Sequence, residues 1–195
     1  MSSGEWSYLV RKTNETEIEV KLRIYGRGEG KIETGIGFFD HMLETFVKHS
    51  GVDLILRAKG DLKVDYHHTV EDVGILLGEA LREQVYPVQN IERFANVVAP
   101  LDETAVEVDL DIGGRPYLVY QLPVEGAIRD FDMELVEEFF KSVVFNFRIA
   151  LHLVLLRGRN RHHIVESAFK GFGVALRRGL APRPGVGVPS TKGVL

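Results

Sequence analysis

The chain has 195 residues, with 24 basic against 28 acidic side chains, a net charge of −4 and 45% hydrophobic residues. This is the composition of a soluble globular protein long enough to bury a core without staples, and its mild acidity argues against a dedicated nucleic-acid binder. Cysteine is absent, which excludes a disulfide scaffold, thiolate metal ligation and cysteine catalysis and fits a cytoplasmic compartment. Residues 1–10 lack the basic start and apolar run of a signal peptide. The most apolar stretch, 139–156, is interrupted by Lys141, Asn146, Arg148 and His152, so it reads as buried core and not as a membrane span.

In chain order, 7–12 and 18–24 read as strands. In the second, Ile18, Val20, Leu22 and Ile24 share one face, and Glu19, Lys21 and Arg23 the other. Gly26, Gly28 and Gly30 mark a turn, without the spacing of a nucleotide-binding loop. Residues 38–49 carry helical spacing that stops at Gly51, 52–58 reads as a strand, and 69–85 as a helix with Thr69 and Asp72 as a capping box. Further strands are expected at 105–110, 117–122 and 150–156, and helices at 132–147 and 164–178, followed by an irregular Gly- and Pro-rich tail at 181–195.

The order of elements repeats. HHTVE at 67–71 returns as HHIVE at 162–166, each time after a strand and at the opening of a helix. The chain therefore reads as one compact α+β domain, 1–195, made of two duplicated half-domains, approximately 1–92 and 93–180. Helices of both halves would pack between two mainly four-stranded sheets.

His-His-x-x-Glu carries metal chemistry. Glu71 lies one turn from His67 and His68 on a helix face, and adjacent histidines point about 100° apart, which suits them to two different ions. Imidazole nitrogen and carboxylate oxygen both bind divalent transition metals. The second copy adds His162, His163 and Glu166. The duplication pairs His41 on the first helix with Glu138 on its counterpart, one a nitrogen and the other an oxygen ligand. Eight protein ligands on two octahedral ions leave open positions for water or substrate. His152, between two leucines in a strand, reads as core, and His49 as a helix-end group within reach of a substrate. Arg93, Arg115 in a GGRP turn, Lys170 one turn after Glu166, and Ser190, Thr191 and Lys192 in the tail offer the forks, hydroxyls and charge that suit a phosphate.

Six segments closely resemble the imidazoleglycerol-phosphate dehydratase family of histidine biosynthesis. They are RKTNET at 11–16, TGIGFFDHML at 34–43, DYHHTVED at 65–72, GGRP at 113–116, HHIVE at 162–166 with Phe169 and Lys170, and PSTKGVL at 189–195. The resemblance implies two fused half-domains and a centre of two Mn2+ ions. It implies active sites at subunit contacts of a large symmetric homo-oligomer, usually of 24 chains, and conversion of D-erythro-imidazole-glycerol phosphate to imidazole-acetol phosphate. It carries over His41, His67, His68, Glu71, His162, His163 and Glu166 as ligands. Glu138 is the eighth on the strength of the duplication, since a carboxylate suits manganese. It also carries over Glu15 as a substrate-site acid and Arg93, Arg115, Lys170, Ser190 and Lys192 as phosphate-side groups. Proton transfer falls to Glu15, Glu71 or Glu166. The runner-up reading is a dinuclear hydrolase of a small phosphate ester, using metal-bound hydroxide. No membrane or nucleic-acid partner is expected.

Overall fold

The alternation at 18–24 becomes strand β2. Its apolar face is fully covered (Ile18, Val20 and Leu22 are 0% exposed) because the opposite face is solvated and only one side of the sheet meets the core. The computed structural model describes residues 4–195; the expectation for 1–10 falls partly on residues 1–3, outside the described residues. The first half runs β1 (Ser7–Lys12), β2 (Thr16–Arg23), β3 (Gly30–Glu33), α1 (Gly37–Ser50), β4 (Asp53–Gly60) and α2 (His67–Val85). The second runs β5 (Phe94–Leu101), β6 (Thr104–Asp111), β7 (Tyr117–Gln121), a small hairpin of β8 (Ala127–Ile128) and β9 (Phe131–Asp132), then α3 (Glu134–Phe147), β10 (Ala150–Arg157) and α4 (Arg161–Gly179).

The two sheets have the same topology, β1-β2-β4-β3 and β5-β6-β10-β7, each with one parallel pair at an edge. The registers repeat as well. Val20 faces Leu56 and Leu22 faces Leu54 in one sheet, and Val108 faces Leu153 and Leu110 faces Leu151 in the other. Each four-stranded sheet therefore receives three strands before the first helix of its half, not two, and the second half adds the β8–β9 hairpin. The added strands, β3 and β5, are both edges. In β3 only Ile32 is buried, and β5 carries Pro100, which an edge tolerates because no ladder donor is lost there.

The helices form the middle of the molecule. Each sheet is covered by helices of its own half, and across the midplane α1 packs on α4 and α2 on α3. Aromatic rings join the halves: Phe46 stacks on Phe172 at 5.1 Å and Phe39 meets Phe139 edge-on at 5.3 Å, while Phe139 stacks on Phe169 within the second half at 5.2 Å. Glycine sets how close the helices come. A Cβ on Gly78 would lie 2.8 Å from the Val143 carbonyl oxygen of α3, and one on Gly173 would lie 2.9 Å from the Phe46 carbonyl oxygen of α1. The same contact is thus used on both sides of the molecule.

The capping box is corrected. Helix α2 begins at His67, two residues earlier than expected, and its first N–H goes to Asp65 Oδ1 at 2.8 Å. Thr69 is buried with its hydroxyl unpartnered, and Asp72 turns to the sheet, accepting from Arg11 Nε at 2.7 Å and Thr16 Oγ1 at 2.5 Å. Tertiary partners won over local capping because Asp72 lies on the face that meets β1 and β2. In α4 the cap is Asn160, whose side chain accepts from the His162 and His163 amides. The tail is irregular, as expected, but tethered: Arg183 N donates to the Asn90 carbonyl and Gly187 N to Asn90 Oδ1.

Candidate metal centre and anion groove

Both histidine pairs sit in the first turn of a helix, so the crossing of α1 on α4 decides what they meet. His41 of α1 comes against His162 and Glu166 of α4, each offering one ligand atom within 4.8 Å of the others. His162 Nε2 lies 3.1 Å and His41 Nε2 3.8 Å from Glu166 Oε2. Phe38 packs its edge on the His162 ring at 5.4 Å and so limits its rotation. Lys170, one turn on, places Nζ 2.7 Å from Glu166 Oε1. Burial alone would raise the Glu166 pKa, but the Lys170 ammonium, His41 and His162 outweigh it and hold the carboxyl below its ordinary value. Glu166 is therefore a carboxylate at neutral pH. Two imidazoles and one ionised carboxylate fit a divalent transition ion.

The other candidates stand apart from this cluster within the chain. His67 lines a cavity of about 370 Å³ with Asp65, Tyr66, Asp130 and Glu134. Its neighbour His68 points elsewhere, the two rings standing at 89°. His68 Nδ1 is 3.0 Å from Asp61 Oδ2, and Nε2 is 3.7 Å from Glu15 Oε1. The bond to Asp61 raises the His68 pKa against the effect of desolvation. His163 Nδ1 is 2.8 Å from Glu103 Oε2. That bond and the Asn160 and Arg159 amides hold Glu103 down to about 2. Glu71 follows His67 by one turn of α2, but Glu138 contacts Lys141 at 3.4 Å and forms no three-residue cluster with His67 and Glu71.

A second site lies at the far end of α4. A groove of about 590 Å³ is lined by Arg93, Gly113, Arg115, Arg148, Ser190, Thr191 and Lys192. It gathers all the expected phosphate-side groups except Lys170, which stays on Glu166. Arg93 is a wall of this groove and not a free arm. Its guanidinium forks onto Asp111 at 2.6 and 3.0 Å and donates to the Pro189 carbonyl at 2.8 Å. Arg148 is an addition that the residue pattern did not mark. It occupies the left-handed cap of α3, the place Gly51 holds after α1, and donates to the Gly114 carbonyl. The duplication carries that signal, because an arginine where its twin has a cap glycine is unusual.

Two histidines outside the motifs are also placed. His152 is not core: it faces out from the second sheet, its side chain 43% exposed, with Nδ1 3.7 Å from Asp109. Strand alternation explains this, since Leu151 and Leu153 take the inward positions. His49, at the end of α1, has its pKa lowered by burial and by the nearby Lys170 and Arg177 charges.

A duplicated α+β fold with clustered imidazole and carboxylate groups at one end of a helix, and a cationic groove at the other, suits an enzyme acting on small anionic substrates. Comparison with known proteins narrows this. The family profile described as imidazoleglycerol-phosphate dehydratase matches residues 34–176. The imidazoleglycerol-phosphate dehydratase of Nautilia profundicola is 71% identical over 185 residues, covering 95% of this chain and 97% of the relative. That of a Sulfurovum species is 54% identical over 187 residues, covering 96% and 98%. The crystal structure of the Pyrococcus furiosus protein aligns with a TM-score of 0.83 at 40% identity, covering 96% of this chain and all of that one. The chain belongs to the imidazoleglycerol-phosphate dehydratase family, hydro-lyases of histidine biosynthesis. It thus dehydrates imidazoleglycerol phosphate, and the hydrolase alternative is set aside.

Proposed function

We propose that dehydration takes place at a centre of two Mn2+ ions that this chain holds through His41, His67, His68, Glu71, His162, His163 and Glu166. The carrying observation is the convergence of His41, His162 and Glu166 from opposite halves of the chain. Glu138, the counterpart of His41 on α3, is the eighth ligand of this set, its contact with Lys141 being a loose one at 3.4 Å. When bound, such ions supply Lewis acidity that makes the imidazole N–H of the substrate more acidic and its ring a better electron donor.

The residues of the chain do the rest. Arg115, Lys192 and the hydroxyls of Ser190 and Thr191 bind the phosphate and fix the direction of the three-carbon chain. Glu15 is half-exposed with Oε1 3.7 Å from His68 Nε2, and it takes the proton from the carbon next to the one that loses hydroxyl. Glu166, kept ionised by Lys170, serves as a ligand and not as the acid. In this reading the Lys170 ammonium, 2.7 Å from Glu166, gives a proton to the leaving hydroxyl, so that water departs and the resulting enol tautomerises to the ketone.

Metal cluster and groove lie at opposite ends of α4. Glu166 and Gly179 are separated by about 20 Å of helix, and the Arg93 amide bonds the Gly179 carbonyl at 2.8 Å. A three-carbon phosphate ester cannot reach both within one chain, which supports active sites shared between chains of a symmetric homo-oligomer; the number of 24 subunits rests on the family resemblance alone. A cytoplasmic setting accords with the fact that, among the described residues, no helix is long and apolar enough to cross a membrane.

Chelation followed by removal of chelator should abolish turnover, and added Mn2+ should restore it. Full turnover in a sample verified metal-free by mass spectrometry would overturn the proposal.

A further inference from the structure

In each half the second histidine of the pair is tied through Nδ1 to a carboxylate, but the two carboxylates come from different places. For His68 it is Asp61, just after β4, and for His163 it is Glu103, in the β5–β6 turn. The duplication makes this an exchange. The shared registers pair Val20 with Val108 and Leu56 with Leu153, and the bulge after Leu155 sets Arg157 where Lys59 stands. Counting along the strands then sets Glu15 opposite Glu103, Gly60 opposite Gly158 and Asp61 opposite Arg159. Position 159 carries a base, so the second half has no acid where Asp61 stands, and its turn acid, Glu103, reaches His163 instead. Glu103 is itself braced, since Oε1 accepts from the Asn160 amide at 2.9 Å and the Arg159 amide at 3.3 Å. Asn160 in turn caps the helix that bears His162 and His163.

We propose that Glu103 and Asp61 are positioning residues, each holding one histidine with Nδ1–H on the carboxylate and Nε2 bare for the ion, and that Asp61 thereby releases Glu15 for the substrate. A neutral imidazole has one N–H, so donating it to an anion fixes the tautomer, turns the ring and makes the other nitrogen a better ligand. In the first half Asp61 performs this task from the β4–α2 loop. Glu15 is left on the opposite, Nε2 side of the ring, 3.7 Å away, where an ion and its substrate would sit. The two ancestral twins have thus diverged, one into a brace and the other into a reacting group. The inference rests on His68 and His163 being metal ligands.

The test is Mn2+ titration of the metal-free assembly, followed by electron paramagnetic resonance of the unbound ion. Glu103→Gln and Asp61→Asn are each expected to weaken Mn2+ binding about 10- to 100-fold, whereas Glu15→Gln keeps it within about twofold and loses turnover. His163→Ala is the control. If it loses metal while Glu103→Gln and Asp61→Asn bind like the parent, the positioning role is overturned and the ligand reading stands. If His163→Ala itself binds like the parent, both fall. A loss in Glu15→Gln equal to that in Glu103→Gln would overturn the division of labour. Should the Glu103 variant fail to assemble, solid-state nitrogen NMR of histidine-labelled parent protein decides. His163, assigned by difference from His163→Ala, is expected protonated at Nδ1 alone, and protonation at Nε2 alone would overturn the proposal.

Discussion

Arg93 and Arg115 border the same groove, but their surroundings give them different work. The Arg93 guanidinium is spent on Asp111 and the Pro189 carbonyl and also lies 4.4 Å from the Phe94 ring. Removing it leaves Asp111 unpaired and the tail untied. Arg93→Ala is therefore expected to cost about 3 kcal/mol of stability, visible in denaturant unfolding. Arg115 is exposed and carries no such internal ties, so Arg115→Ala should leave unfolding unchanged and raise KM about tenfold or more, as loss of a charge-assisted phosphate contact does. Equal effects of the two substitutions on stability would contradict these assignments. The residue types announced both arginines as anion groups. Only packing separates strut from arm, because a guanidinium reads the same in sequence whether its partner is a substrate or Asp111.

Among the elements, the buried strands and all four helices were legible because each shows one strong period: two for β2, and three to four for the helices. Of the edge strands, β1 and β7 were legible but β3 and β5 were not, since β3 is four residues long and β5 mixes outward Phe94 and Val98 with Pro100. The histidine pairs were legible because duplication printed them twice. The helix crossing that brings His41 to Glu166 was not, for it depends on where glycines let backbones approach. Gly78 and Gly173 set those approaches, at 2.8 and 2.9 Å from a carbonyl oxygen to a Cβ that is not there. Gly78→Ala and Gly173→Ala should each destabilise by about 2 kcal/mol despite the better helix propensity of alanine. Gly173→Ala, which pushes α1 from α4, should also weaken metal binding at His41, His162 and Glu166. Gain of stability in either variant would show that the helices are not in contact through these glycines.

At the scale of the whole molecule, the separation of cluster and groove along α4 has a consequence that mixing can read. Glu166→Gln damages the metal cluster and Arg115→Ala the groove, so either variant alone should be nearly inactive at low substrate. Suppose each working site takes its cluster from one chain and its groove from another. Subunits of the two variants, dissociated and reassembled together in equal amounts, then pair an intact cluster with an intact groove in about a quarter of sites. The mixture should recover that fraction of parental activity. If both parts came from one chain, every site would keep one lesion and mixing would recover nothing. The measurement needs only a steady-state assay before and after reassembly, with light scattering to confirm that the mixed particles match the parent in mass. A mixture that scatters like the parent yet stays as inactive as its components would mean that the groove serves the cluster of its own chain, by a closure of the tail that shortens the distance along α4.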